Sequence, residues 1–153
     1  MREILFRGKR IDNGEWVYGH FAKHPSPIQI GSDYSPWYIF VPPRDPDDDG
    51  GWYNVDPGTV GQYTGLTDYY GRKIFEGDIL ESQISENPVD WKIWTVGFED
   101  GTFTFESVRN SVKSRRKYRH EMNMLCADEV KFYGLTLVGN IPDNPKLLER
   151  GAE

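Results

Sequence analysis

One stretch constrains this chain more than any other. From Trp91 to Phe98 it reads Trp-Lys-Ile-Trp-Thr-Val-Gly-Phe, alternating in polarity over eight residues. Successive side chains of a strand point to opposite faces, so this pattern predicts a strand buried on one side. Glu99-Asp100-Gly101 then supplies a turn, and Thr102-Phe103-Thr104-Phe105-Glu106 alternates again. Two such runs around an Asp-Gly pair predict a β-hairpin.

The same grammar recurs at the N-terminus. Ile4-Leu5-Phe6 and Trp16-Val17-Tyr18 flank Asp12-Asn13-Gly14, where Asn and Gly both tolerate a positive φ, so residues 3–21 are expected to form a second hairpin. Residues 22–58 carry six prolines before Pro57 and the acidic run Asp45, Asp47, Asp48, Asp49. They read as long surface loops around one strand, Trp37-Tyr38-Ile39-Phe40-Val41. Downstream come a glycine-bounded stretch, Gly61 to Gly65, and a turn at Asp68 to Gly71. A strand follows at Ile74 to Leu80, and strand character returns from Val130 to Ile141, around Leu135-Thr136-Leu137-Val138. Asp143-Asn144-Pro145 then opens a short C-terminal helix of two turns. With 14% aromatic residues, 16 Gly and 10 Pro, short strands and tight turns are favoured over long helices, and the fold class is mainly β.

The formal net charge of −6 argues against a protein that coats nucleic acid over its whole surface. Cys126 is the one cysteine, so there is no internal disulfide and no thiolate cluster, as suits a reducing cytoplasm. Cys126 lies between Leu125 and Ala127 and reads as a packing residue. The N-terminus lacks the apolar core of a signal peptide, and no stretch reaches the roughly 18 apolar residues of a membrane span. A cytoplasmic location without membrane association is expected.

The block Val60-Gly61-Gln62-Tyr63-Thr64-Gly65-Leu66-Thr67-Asp68-Tyr69-Tyr70-Gly71-Arg72-Lys73-Ile74-Phe75-Glu76-Gly77-Asp78-Ile79-Leu80 resembles the central signature of the YopX family. The flanks agree: Phe6-Arg7-Gly8-Lys9 and Trp16-Val17-Tyr18-Gly19 before it, Val138-Gly139-Asn140-Ile141 and Asn144-Pro145-Lys146-Leu147-Leu148 after it. The resemblance implies a phage or prophage setting and a small SH3-like β-barrel from about Asp56 to Ile141. It implies one domain over 1–153, with an N-terminal hairpin and loop region at 1–55 and a tail at 142–153. It implies no reaction. Glu76 and Asp78 sit around Gly77 and share a strand face, which would suit either a structural role or a carboxylate pair; the structural role is favoured.

Three constellations bear on function. Asp45-Pro46-Asp47-Asp48-Asp49-Gly50, with Asp56 at the twelfth position, follows the calcium-loop pattern, but an aspartate ends it, Trp52 replaces the usual aliphatic residue, and neither flank is helical. A solvated acidic loop is the expectation, and no metal or other cofactor is assigned. Lys113, Arg115, Arg116, Lys117, Arg119 and His120 fall within eight residues beside Tyr118, and form the basic segment best suited to nucleic acid. His20 and His24 lie four apart, but Pro25 opposes a shared helix, and neither a nucleophile elbow nor a phosphate loop occurs, so no catalytic residue is assigned. Trp37, Trp52 and Tyr53 are aromatic residues of the kind that anchor partners. These features point to a protein-interaction module that binds a host or phage protein and is expected to self-associate. The alternative is an accessory nucleic-acid-binding protein using Arg115, Arg116, Lys117 and Arg119.

Overall fold

In the computed structural model, which describes residues 3–23, 36–82, 92–108 and 122–150, the N-terminal alternation is realised as β1 (Phe6–Lys9) and β2 (Trp16–Lys23), paired antiparallel from Phe6↔Gly19 to Lys9↔Trp16. The turn is longer than an Asn-Gly pair alone would make. Arg10 N–H donates to the Glu15 carbonyl and Gly14 N–H to that of Arg10, both at 2.9 Å, and in this turn positive φ is taken by Gly14 and not by Asn13. Asn13 instead accepts the Glu15 amide with its side chain. That hydrogen bond gives a short polar residue an alternative to the left-handed region.

The chain divides into two compact units, Met1–Tyr63 and Thr64–Glu153. In the first, β3 (Trp37–Val41) pairs with the second half of β2, and β4 (Gly51–Asn54) pairs with β3. The sequence pattern placed β4 in a loop. Four residues, Gly-Trp-Tyr-Asn, are too few to show a period, and the strand exists because β3 offers an edge. The opening residues of β5 (Gly61–Thr67) join the other side of β1 at Gly61 and Gln62. One face of this sheet is packed around Ile39 and Val55, both fully buried. Gly19 sits where β2 changes partner: a Cβ there would lie 2.0 Å from the Phe40 carbonyl oxygen, so this crossing requires glycine.

In the second unit the rest of β5 pairs with β6 (Lys73–Phe75). A five-stranded antiparallel sheet follows: β10 (Met122–Met124), β9 (Thr102–Ser107), β8 (Lys92–Glu99), β7 (Asp78–Ser82) and β11 (Leu135–Asn140), in that order. The expected β8–β9 hairpin is present. Its turn places Asp100 at φ 50° and Gly101 at φ 81°, as a tight two-residue turn between twisted strands requires. The core face follows from register: Leu80 opposite Trp94, Val96 opposite Phe105, Phe98 opposite Phe103, Leu137 opposite Leu80. Trp94, 2% exposed, packs against Phe105 at 4.9 Å and donates its indole N–H to the Ser82 hydroxyl, which removes the cost of a buried donor. α1 (Ala127–Tyr133) covers this face through Val130 and Tyr133.

Other expectations need correction. The strand expected at Ile74 to Leu80 is two strands, because Glu76-Gly77 turns the chain and Gly77 has φ 81°. The strand character expected from Val130 begins with helix: Val130 lies in α1, and β11 starts at Leu135 after a left-handed Gly134. Among the described residues the strands form two antiparallel sheets, and no closed barrel is found. The C-terminal helix is present as α2 (Leu147–Arg150), one turn rather than two. No helix among the described residues is long and apolar enough to cross a membrane.

Candidate functional site

The signature block builds its geometry around Asp68. This carboxylate is buried at the β5–β6 turn, and its two oxygens are fully used. Oδ1 accepts the amides of Tyr70 and Arg72 at 2.9 Å, and Oδ2 accepts the Leu137 amide at 2.9 Å and Arg72 Nε at 2.8 Å. Arg72 Nη2 lies 2.6 Å from Oδ2 and also donates to the Leu137 carbonyl at 2.8 Å. Burial raises the Asp68 carboxyl, but the Leu137 and Arg72 amides and the Arg72 guanidinium outweigh it and hold the group below the usual carboxylate range. Such a group is a clamp that fastens the turn to β11, not a proton carrier. Asp78 is likewise buried and accepts the Phe75 amide at 2.7 Å across the Glu76-Gly77 turn, which fits the structural role expected for it.

What the clamp holds outward is aromatic. Tyr69 donates its amide to the Leu135 carbonyl at 2.9 Å, and the Tyr69 and Tyr70 rings project into solvent, 60% and 68% exposed, edge to face at 5.4 Å. Beside them a groove runs between the turn and α1, lined by Gly65, Leu66, Thr67, Tyr69, Val130 and Lys131. On the same helix Phe132 is 75% exposed, while its neighbour Tyr133 turns inward onto Trp94 and Phe105. Exposed aromatic rings beside an apolar groove cost solvation without adding to the core, and such patches mark interaction sites.

The other candidates are placed differently. Arg115, Arg116, Lys117 and Arg119 lie outside the described residues, as does His24. In the acidic loop Asp45 accepts the Asp47 amide, and Asp48 accepts those of Gly50 and Arg44. Asp56 accepts the Gly58 amide and caps a single turn at Pro57–Thr59. These carboxylates fold the loop onto itself, and among the described residues no group of three or more His, Cys, Asp or Glu side chains is placed to hold a metal ion. Cys126 is half-buried at the start of α1. Trp37, Trp52 and Tyr53 stand on strands, not loops: Trp37 stacks on Phe21 at 5.0 Å, Arg10 lies 4.6 Å over Tyr53, and Trp52 is 62% exposed. Sequence reasoning missed Tyr69, Tyr70 and Phe132. For Phe132 the available signal was the pair of helix bounds, Asp128-Glu129 in a first turn and Gly134 just past the end.

The fold and site define a mainly β protein of two antiparallel sheets whose central signature clamps a turn and presents aromatic side chains. The chain belongs to the YopX family: the family model described as YopX protein matches residues 5–149. Protein EF1440 from Enterococcus faecalis has a similar crystal structure, with a TM-score of 0.60 and 21% sequence identity over 97% of this chain and 99% of that one. At that identity the likeness is one of fold. No curated protein sequence matches.

Proposed function

We propose that this chain is a protein-interaction module, encoded in a phage or prophage setting and acting in the host cytoplasm. The observation that carries the reading is the exposed Tyr69 ring at the groove of Leu66, Val130 and Lys131, with the Tyr70 ring against it and Phe132 exposed on the same helix. A partner protein would place an apolar side chain in the groove and cover the rings, removing from water a patch whose burial is worth about 25 cal/mol per Å². Specificity would come from the Lys131 ammonium and the backbone of the clamped turn, whose rigidity lowers the entropy lost on binding.

The test is a tagged pull-down from host cells in which the resident phage is induced, with nuclease treatment, comparing the parent chain with Tyr69→Ala/Tyr70→Ala/Phe132→Ala. The rings are exposed, so the variant should keep the parent's circular dichroism. One protein captured stoichiometrically by the parent and lost from the variant supports the reading. Equal capture by both places the partner elsewhere and refutes this groove as the site. Size-exclusion chromatography of the same pair tells a heterologous partner from a second copy of this chain.

A further inference from the structure

The four strands β1 to β4 have an unusual composition. Nine of their 21 residues are aromatic, and they carry Arg7, Lys9 and Lys23 but no aspartate or glutamate. The chain as a whole has a formal charge of −6, so subtracting +3 for these strands leaves −9 on the remainder. Register then sorts the side chains. Lys9 opposes Trp16, Arg7 opposes Tyr18, His20 opposes Phe40 and Phe40 opposes Trp52, so all of these share the face turned away from Ile39 and Val55. Along β2 they fall at every second residue, about 7 Å apart. Tyr18 and Trp52 are 47% and 62% exposed, His20 is exposed, and Trp16, Phe40 and Lys9 are half-buried. The Phe40 and Trp52 rings meet at 4.9 Å, and Trp16 lies under Arg7 at 4.8 Å and Lys9 at 5.7 Å.

A sheet face bearing the exposed rings of Tyr18 and Trp52, with the half-buried Lys9 at one end and Arg7 buried beside it, offers unpaired bases π-faces on which to stack and positive charge for the backbone. A duplex hides its π-faces and could not use the rings. We propose that this face is a stacking platform for single-stranded nucleic acid, with bases on Tyr18 and Trp52 and phosphates toward Lys9. The inference does not rest on the groove beside Asp68, which lies in the other unit. The acidic loop from Asp45 to Asp49 borders the Trp52 end, since Val41 and Gly51 close the β3–β4 pair there. Its negative charge limits affinity.

The test is fluorescence anisotropy of labelled single-stranded DNA and RNA of about 15 nucleotides, and of the matching duplex, at about 50 mM and about 200 mM salt. Tryptophan fluorescence is followed in parallel. The parent should bind the single strands in preference to the duplex, more weakly at the higher salt, with quenching of its tryptophans. Tyr18→Ala and Trp52→Ala should each weaken binding by roughly 5- to 150-fold. Trp52→Ala should also remove part of the quenching, and both variants should keep the parent's melting temperature within a few degrees. Asp47→Asn/Asp49→Asn should tighten binding. Absence of single-strand binding at the lower salt overturns the proposal, as does equal affinity for duplex. So does binding that survives Tyr18→Ala/Trp52→Ala but is lost in Arg115→Ala/Arg116→Ala/Arg119→Ala, which would put the nucleic acid on the basic segment. A protein partner that requires Tyr18 and Trp52, with no nucleic acid bound, overturns it too.

Discussion

Asp68 shows how much structure one side chain can specify. Its two oxygens take three backbone amides and the Arg72 guanidinium, so they serve donors from both the β5–β6 turn and β11. Asn in its place offers one carbonyl oxygen and an unwanted N–H₂ facing donors. Asp68→Asn is therefore expected to destabilise the chain by about 1–3 kcal/mol, the range for leaving buried partners unsatisfied, read as a lower urea midpoint at unchanged slope. An unchanged midpoint would mean that the turn is held by its backbone alone. Arg72 is half exposed, so its ion pair adds little beyond these hydrogen bonds. The sequence shows an Asp-x-x-Gly turn here, but not that Leu137, 69 residues away, completes the clamp. That contact depends on where β11 lies in the sheet, and no local pattern carries it.

At the scale of elements, legibility followed periodicity. The β8–β9 hairpin and the β1–β2 hairpin were readable because alternation over six to eight residues leaves one solution for the buried face. β4 and α1 were not: the first has four residues, and the second has seven, with Val130 the one residue buried in it. Such short elements are chosen by their neighbours. Two glycines test this distinction. Gly101 has open space around its Cα but a φ of 81°, so Gly101→Ala should cost about 1–2 kcal/mol through backbone strain alone. Gly19 has no such φ, but a Cβ would run into the Phe40 carbonyl. Gly19→Ala should cost about 1–3 kcal/mol and shift the β2–β3 pairing, seen as faster amide exchange at Phe21 and Ile39. If Gly101→Ala alone disturbed those amides, the two elements would be coupled in a way their pairings do not suggest.

Over the whole molecule, charge is distributed unevenly, with acidic residues outside β1 to β4 and a pI near 5.1. Two different events should therefore separate on acidification. Near pH 5.1 the net charge passes through zero, and the exposed Trp52, Tyr69, Tyr70 and Phe132 are no longer kept apart by repulsion between copies. Light scattering should rise there while circular dichroism stays native. Unfolding belongs to lower pH. The folded carboxyl of Asp68 lies below its unfolded value of about 3.9, so its stabilisation is complete above that value and is lost as pH falls through the folded pKa. Loss of native signal should thus begin below about pH 4. Asp68→Asn removes the part of that dependence owed to Asp68 and leaves the scattering maximum close to its original pH. Tyr69→Ala/Tyr70→Ala/Phe132→Ala should do the reverse, lowering the scattering at pH 5.1 without altering the acid limb. Scattering that appears only together with loss of circular dichroism would instead mean that copies associate through unfolded chain, and that the exposed rings of the folded state are not self-adhesive.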